Sequence, residues 1–272
     1  MEILYITDLH GDIYKYNQSL KVARKADVAM VVNGGDMLPK SGSLFDQGKF
    51  ITGFLAGHFA LFEKQGIFYL SFLGNDDLRI FDELFNEVCG KFSYVENIAQ
   101  RKVDIGGYSF IGMNWVCDYP FLLKDRCRMD SNEYVFPEQM GKAKLSTPRG
   151  YKTVDNWFEY AETLPTMEDE LERLPKPEDM SKVVYVIHMP PSGLGLDVCF
   201  GGREVGSKSV YSFLQTKQPR LSLHGHIHES PRVSGKWSAE IGETLCIQPG
   251  QMGGLSYVMI DLESMEAKWK EI

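Results

Sequence analysis

The stretch Leu223-His224-Gly225-His226-Ile227-His228 packs three of the chain's six histidines into five positions. Imidazole is a preferred ligand of zinc, iron, manganese and nickel. A tag or a histidine-rich surface loop would have the same composition, but this run lies inside the chain, directly after an apolar stretch. Two further histidines have comparable settings: His10 in Asp8-Leu9-His10, and His188 in Val186-Ile187-His188-Met189-Pro190-Pro191.

Working outward, short apolar runs rich in β-branched and aromatic residues alternate with helical patterns. Ile3 to Thr7, Val28 to Val32, Ile67 to Leu73, Tyr108 to Met113, Val183 to Ile187 and Leu221 to Leu223 read as buried strands. Tyr14 to Ala26, Gly48 to Gln65 and Asp77 to Val88 read as amphipathic helices, the pattern of α/β layering. Thr244 to Ile247, Leu255 to Asp261 and Ala267 to Lys270 read as strands joined by tight turns, which predicts a second, partly antiparallel sheet. The polar motifs fall at the ends of these strands. Asp8 and His10 follow the first, Gly34-Gly35-Asp36 the second and Gly74-Asn75-Asp76-Asp77 the third; His188 and the histidine run follow later ones. That is the edge where open α/β sheets bind ligands. Gly-Asp and Gly-Asn are common turns singly; five such motifs in order, each at a strand end, are not a coincidence of composition.

Composition narrows the function classes. The residues are 43% apolar and 24% charged, as in an ordinary globular protein. A formal charge of −8 argues against a nucleic-acid footprint, though bound dications could supply positive charge locally for a nucleotide. No run approaches the ~18 apolar residues of a membrane span, and the chain enters a strand at once from Met1-Glu2-Ile3-Leu4. A cytoplasmic address with no membrane partner is the resulting expectation. The five scattered cysteines, never in a C-x-x-C arrangement, read as buried free thiols, which leaves metal binding to histidine and oxygen. From about Trp115 to Met180 the pattern loosens, with six prolines and one acidic helical segment around Thr166 to Leu174. Such an excursion is expected to be a lid, a substrate loop, an interaction surface or a solvated detour.

The ordered set Asp8-x-His10, Gly35-Asp36, Gly74-Asn75-Asp76, His188 and Gly225-His226-x-His228 resembles the calcineurin-like metallophosphoesterase superfamily across nearly the whole chain, and within it the Icc-related group. The resemblance implies an α/β fold: a four-layer α/β/β/α sandwich with two mixed sheets, as one domain over 1–272 with an irregular insertion or lid at about 115–180. It implies two divalent transition metal ions (manganese, iron, zinc or nickel). The first would be held by Asp8, His10, Asp36 and His228, the second by Asp36, Asn75, His188 and His226, with Asp36 shared. His224 falls outside this set, as a strand-end or supporting residue. His58, on a helix, reads as packed.

The implied reaction is hydrolysis of a small phosphodiester or monoester by a metal-bridging hydroxide, with Asn75 both a ligand and a donor to the phosphoryl group. Where many members carry histidine after Gly-Asn, this chain has Asp76. An aspartate beside two dications should stay ionised and be a poor general acid; alternatively it hydrogen-bonds a ligand histidine. Arg79, Arg203 and Lys208 are candidate substrate contacts, or solvated charges. The alternative to an enzyme is a binding scaffold that keeps the fold without the chemistry. A scaffold would have lost ligands, whereas all seven are present here.

Overall fold

Two six-stranded mixed sheets form the centre of the molecule in a computed structural model that describes residues 1–272. The first runs in the order Ala267–Glu271, Ser256–Asp261, Glu2–Ile6, Met30–Asn33, Phe68–Ser71, Val95–Asn97. Its last four strands are parallel, and its first two antiparallel. The second runs Ser238–Ile241, Thr244–Ile247, Leu221–Leu223, Val183–Ile187, Tyr108–Met113, Lys102–Ile105, parallel except at its two edges.

Side-chain alternation makes four layers out of these sheets. On Glu2–Ile6, Ile3 and Tyr5 enter the core between the sheets, while Leu4 and Ile6 face a core shared with the helices Ile13–Ala26, Ala56–Gln65 and Asp82–Cys89. On Val183–Ile187, Val184 and Val186 enter the central core, and Val183, Tyr185 and Ile187 face the helix Lys208–Lys217 and the excursion. Three apolar cores therefore separate four layers, the α/β/β/α arrangement. Both faces of each central strand are buried, which is why these strands read as continuous apolar runs.

The late strands do not build one second sheet, as their pattern predicted. Thr244–Ile247 extends the sheet that carries the histidine run, while Ser256–Asp261 and Ala267–Glu271 return to pair beside Glu2–Ile6. The parallel strands divide between the two sheets as well, a partition that strand periodicity alone cannot encode because every strand has the same two-sided burial.

The helix predicted from Gly48 is nearly continuous over Gln47–Gln65, with a π-helical stretch at Ile51–Leu55, and ends at Gly66 in the left-handed conformation. Asp12 caps the first helix through the backbone N–H groups of Tyr14 and Lys15. No helix is long and apolar enough to cross a membrane. All five cysteines are free, and all but Cys199 are buried.

The excursion is more ordered than its sequence indicates. It holds the hairpin Ala143–Thr147/Gly150–Val154 and the helices Trp157–Glu162 and Met167–Glu172, the second with a Thr166/Asp169 capping box. Half of the outer core cluster comes from it, including Trp115, Tyr119, Cys127, Trp157, Met167 and Leu171. These residues are contributed one turn at a time, so no period announces them.

Candidate metal centre

All five polar motifs meet where the carboxyl ends of the two sheets come together. Asp8, Asp36 and Asn75 come from the loops after three strands of the first sheet; His188 and the histidine run follow two strands of the second. Tyr5 ties the sheets across this edge, donating its hydroxyl to the His224 carbonyl at 2.7 Å.

Eight non-glycine residues have positive φ, and four are Asp8 (55°), His10 (44°), Asp36 (50°) and His226 (70°). Non-glycine residues adopt this conformation uncommonly, at turns and helix ends such as Asp27 and Gln218 and at ligand-binding loops. Here it turns consecutive polar residues inward. The backbone N–H groups of Asp8 and His10 donate to Gly35 and Asp36 carbonyls, each at 2.9 Å, so the two left-handed loops brace one another. The glycines let the backbone close in. A Cβ at Gly225 would lie 2.6 Å from Asp8 Oδ2 and 3.2 Å from His188 Nδ1, and one at Gly74 would collide with the Asp36 carboxylate and backbone.

The donor atoms form two adjoining groups. Asp8, His10, Asp36 and His228 each offer one atom, all within 4.8 Å of one another. His10 Nε2 and His228 Nε2 are 2.9 Å apart, and His228 Nε2 is 3.3 Å from Asp8 Oδ1. In the second group His188 Nε2 lies 3.0 Å from Asn75 Oδ1 and 3.5 Å from Asp36 Oδ2, and His226 Nδ1 lies 2.6 Å from Asn75 Oδ1. Donors around one ion with metal–ligand distances of about 2.1 Å sit roughly 3 Å from their neighbours, and both groups have that spacing.

The surroundings fix which atoms face inward. His188 is fully buried, and its Nδ1–H donates to the Gly34 carbonyl at 2.7 Å, leaving Nε2 to point at two oxygens as a lone pair. Neutral His188 would thus set three acceptors against each other, so the site demands a cation. Burial works to lower the His188 pKa, yet Asp36, Asp8 and the Gly34 carbonyl carry it up to about 9. The field that holds a proton on His188 would hold a metal ion instead. Burial resists ionisation of Asp8, but His228 and His188 bring it down to about 2; Asp36, facing His188 and His10, is likewise held well below the usual carboxylate range. Burial lowers His10 to about 4 and His226 to about 3, so both present neutral, ligating nitrogens. The donor set therefore fits divalent cations.

A buried support holds this ring in place. Thr7 donates to Asp8 Oδ2 at 2.8 Å, and the His226 N–H meets both Asp8 oxygens at 3.1 Å. Gln248 donates to the Gly225 and Ile227 carbonyls, fixing the histidine run from behind. His224 is wholly buried, with Nδ1 against the Ile187 and Met189 carbonyls, and takes no part in either group. His58 is packed among Tyr16, Phe54, Phe62 and Tyr69.

A cavity of about 800 Å³ opens above Asp36, Asn75, His226 and His228. Tyr119, Phe121, Val135 and Phe200 give it an apolar wall; Lys40 and Arg203 are its lysine and arginine. Arg79 is not among its lining residues. The Arg79 guanidinium lies 5.3 Å from the Trp115 ring centre, drawn to an aromatic face, and the Arg79 backbone N–H donates to Asp125 Oδ2 at 3.0 Å. Lys208 lies on a separate depression beside Asp130. Asp76 does border the cavity. Without ions, burial and the Asp36 charge raise it to about 6, opposite to the direction expected beside two dications; Lys40 pulls it back down. Its Oδ2 is 3.9 Å from His10 Nδ1, beyond hydrogen-bond reach.

Sequence reasoning passed over Lys40, Gln47 and Arg126. Arg126, whose side chain is 1% exposed, donates to the Gly74 carbonyl at 2.8 Å and pairs with Asp82, which ties the excursion to the Asn75 loop. Nothing local in the sequence marks these residues, because most of their partners lie tens of positions away.

No curated protein matches the chain in sequence. Among solved structures, one is 18% identical with a TM-score of 0.64, over 99% of this chain and 98% of its own. The protein TT1561 of Thermus thermophilus is 16% identical with a TM-score of 0.60, again over 99% and 98%. A dimetal phosphatase from Danio rerio is 10% identical with a TM-score of 0.52, over 100% of this chain and 96% of its own. These likenesses concern the fold. The calcineurin-like phosphoesterase family matches residues 1–230, the stretch that carries every ligand candidate, and the chain belongs to that family.

Proposed function

We propose that the protein is a dinuclear metal-dependent phosphoesterase that hydrolyses a small phosphodiester. The observation that carries this reading is the convergence of seven donor side chains from five loops, four of them on strained backbone. Asp8, His10, Asp36 and His228 would hold one ion; Asp36, Asn75, His188 and His226 would hold the other. Bound there, divalent ions supply Lewis acidity to a phosphoryl oxygen and lower the pKa of water.

The remaining work belongs to the chain. Gly34 fixes the tautomer of His188, and Thr7 with the His226 N–H fixes Asp8, so the donors are oriented before substrate arrives. The apolar wall excludes water from one side of the cavity. A diester is favoured over a monoester by charge. The cavity lining holds Asp76, Glu204 and Glu229 against Lys40 and Arg203, with Asp118 already paired with Lys124, which suits a monoanion better than a dianion.

The test is metal analysis of the purified protein together with metal-stimulated hydrolysis of bis(p-nitrophenyl) phosphate. Bound transition metal and turnover that Asp36→Asn abolishes are expected. A protein that retains no metal and gains no activity from added manganese, iron, zinc or nickel would overturn the reading.

A further inference from the structure

We propose that Lys40 is the cation that meets the phosphoryl group of the substrate, and that Asp76 is its positioning residue. This assignment rests on the phosphoesterase reading for the identity of the anion. Lys40 Nζ lies 3.7 Å from Asp76 Oδ2, and both residues line the cavity with Asp36, Asn75 and His228. The other carboxylate oxygen of Asp76 accepts from Asn75 Nδ2 at 3.0 Å, so one aspartate connects a ligand candidate to a cation.

A half-exposed lysine beside an aspartate is ordinarily a surface pair of little consequence. Here the two loops that carry the pair are locked together from below. Gln47, which is 1% exposed, donates its amide to the carbonyl of Pro39 at 3.1 Å and to that of Asp76 at 3.0 Å, and accepts from the Leu78 N–H at 2.8 Å. One buried side chain thus sets the residue preceding Lys40 against Asp76 itself. Asp77, fully buried, repeats the tie: its carboxylate accepts from the N–H groups of Met37, Leu38 and Gly74 at 2.8 to 2.9 Å. Burying a glutamine and an aspartate is costly unless every bond is made. Their combined effect is to hold the Asp36–Lys40 loop in register with the Gly74–Leu78 loop.

The chemistry of lysine suits the role. Its ammonium is a mobile point charge with three donors, so it can keep one toward Asp76 while offering another to a phosphoryl oxygen. The cavity's other cation, Arg203, stands on the exposed tip Phe200–Glu204. Lys40 is thus the cation tied to the ligand-bearing loops.

The experiment uses metal-loaded protein and three readouts: metal content, hydrolysis of bis(p-nitrophenyl) phosphate, and calorimetric binding of orthophosphate. Lys40→Ala is expected to keep its metal and to lose roughly tenfold to a hundredfold in both kcat/KM and orthophosphate affinity, the worth of one charged hydrogen bond. Lys40→Arg should recover most of that loss. Asp76→Asn keeps an acceptor for Asn75 but removes the charge that holds Lys40; it should weaken orthophosphate binding in the wild type and add nothing further in Lys40→Ala. Unchanged orthophosphate binding and kcat/KM in Lys40→Ala would overturn the assignment while leaving the hydrolase reading intact. Lys40-dependent binding of orthophosphate without hydrolysis of any ester would do the reverse.

Discussion

The floor of the cavity and the excursion that backs its wall, called the wall from here on, both bury charge, and they treat it in opposite ways. In the floor, Asp8, Asp36, Asn75, His188 and His226 turn their donor atoms toward one another, and no lysine or arginine side chain enters the ring. In the wall, each buried cation has its own partner. Lys124 and Asp118, both inaccessible, pair at 2.7 Å; Arg126 pairs with Asp82; Arg128 pairs with Glu170 at 3.2 Å and lies 3.7 Å from the Trp115 ring centre. A paired buried charge closes a structure, whereas a convergent unpaired set leaves a place for something else. The floor is thus built for a cation it does not itself supply, and the wall is built to stay where it is.

The largest expected effect comes from the floor. Asp36→Asn removes the carboxylate common to both donor groups and should cost on the order of a thousandfold or more in hydrolysis, the upper range for losing one preorganised group. Metal content measured by atomic emission should fall in parallel. Thermal stability of the metal-free protein should fall as well, because Asp36 offsets the proton that the site holds on His188, and a neutral amide does not. Unchanged metal content in Asp36→Asn would place Asp36 with the wall, as a structural charge.

The wall makes the opposite prediction. Lys124→Met strands Asp118 and should destabilise the fold by about 3–5 kcal/mol in urea unfolding, as breaking one side of a buried pair does. Adding Asp118→Leu should return most of that loss, since two apolar residues replace a paired charge. If the single substitution has no effect on stability, the wall's pairing is ornamental and the contrast with the floor fails.

How far the sequence could be read follows the same division. The floor was legible because its residues are forced into short motifs: a left-handed turn after a strand accepts few sequences, so Asp8-x-His10, Gly35-Asp36 and the histidine run stand out. The layering was legible through strands buried on both faces. The wall was not, because Lys124, Arg126 and Arg128 find their partners by packing, at no characteristic spacing. The distribution of the strands between two sheets was hidden for a related reason, since it depends on which face of which strand meets its neighbour.

His58 shows a third way to bury a titratable group, without any partner. It lies in the helical layer, 3% exposed, with Nε2 unpaired among aromatic rings, and burial lowers its pKa to about 4. The folded value lies below the unfolded 6.5, so between pH 6.5 and 4 the unfolded chain holds the extra proton. Stability contributed by keeping this ring neutral is complete above that window and falls as pH falls through it, by up to about 3 kcal/mol. His58→Phe should therefore flatten the slope of urea midpoint against pH in this window. An unaltered slope would assign the acid sensitivity to the floor's histidines instead.

The finest test asks whether floor and wall are independent. Arg126 belongs to the wall by its pairing with Asp82, yet its Nε donates to the carbonyl of Gly74, immediately before Asn75. Arg126→Met would leave Asp82 in solvent contact, where it needs no partner, but would free that carbonyl and with it the position of the Asn75 amide. Groups that orient a metal ligand typically contribute about 10–100-fold to metal affinity or activity. We expect a loss in that range for the metal equivalent that Asn75 would hold, and a smaller one for the equivalent at Asp8, His10 and His228, which the Asn75 loop reaches only through the shared Asp36. Arg126→Lys, which keeps a donor but not the fork, should fall between. Equal loss of both equivalents would mean that Arg126 supports the cavity as a whole; loss concentrated in one would mean that the wall tunes the floor through a single carbonyl.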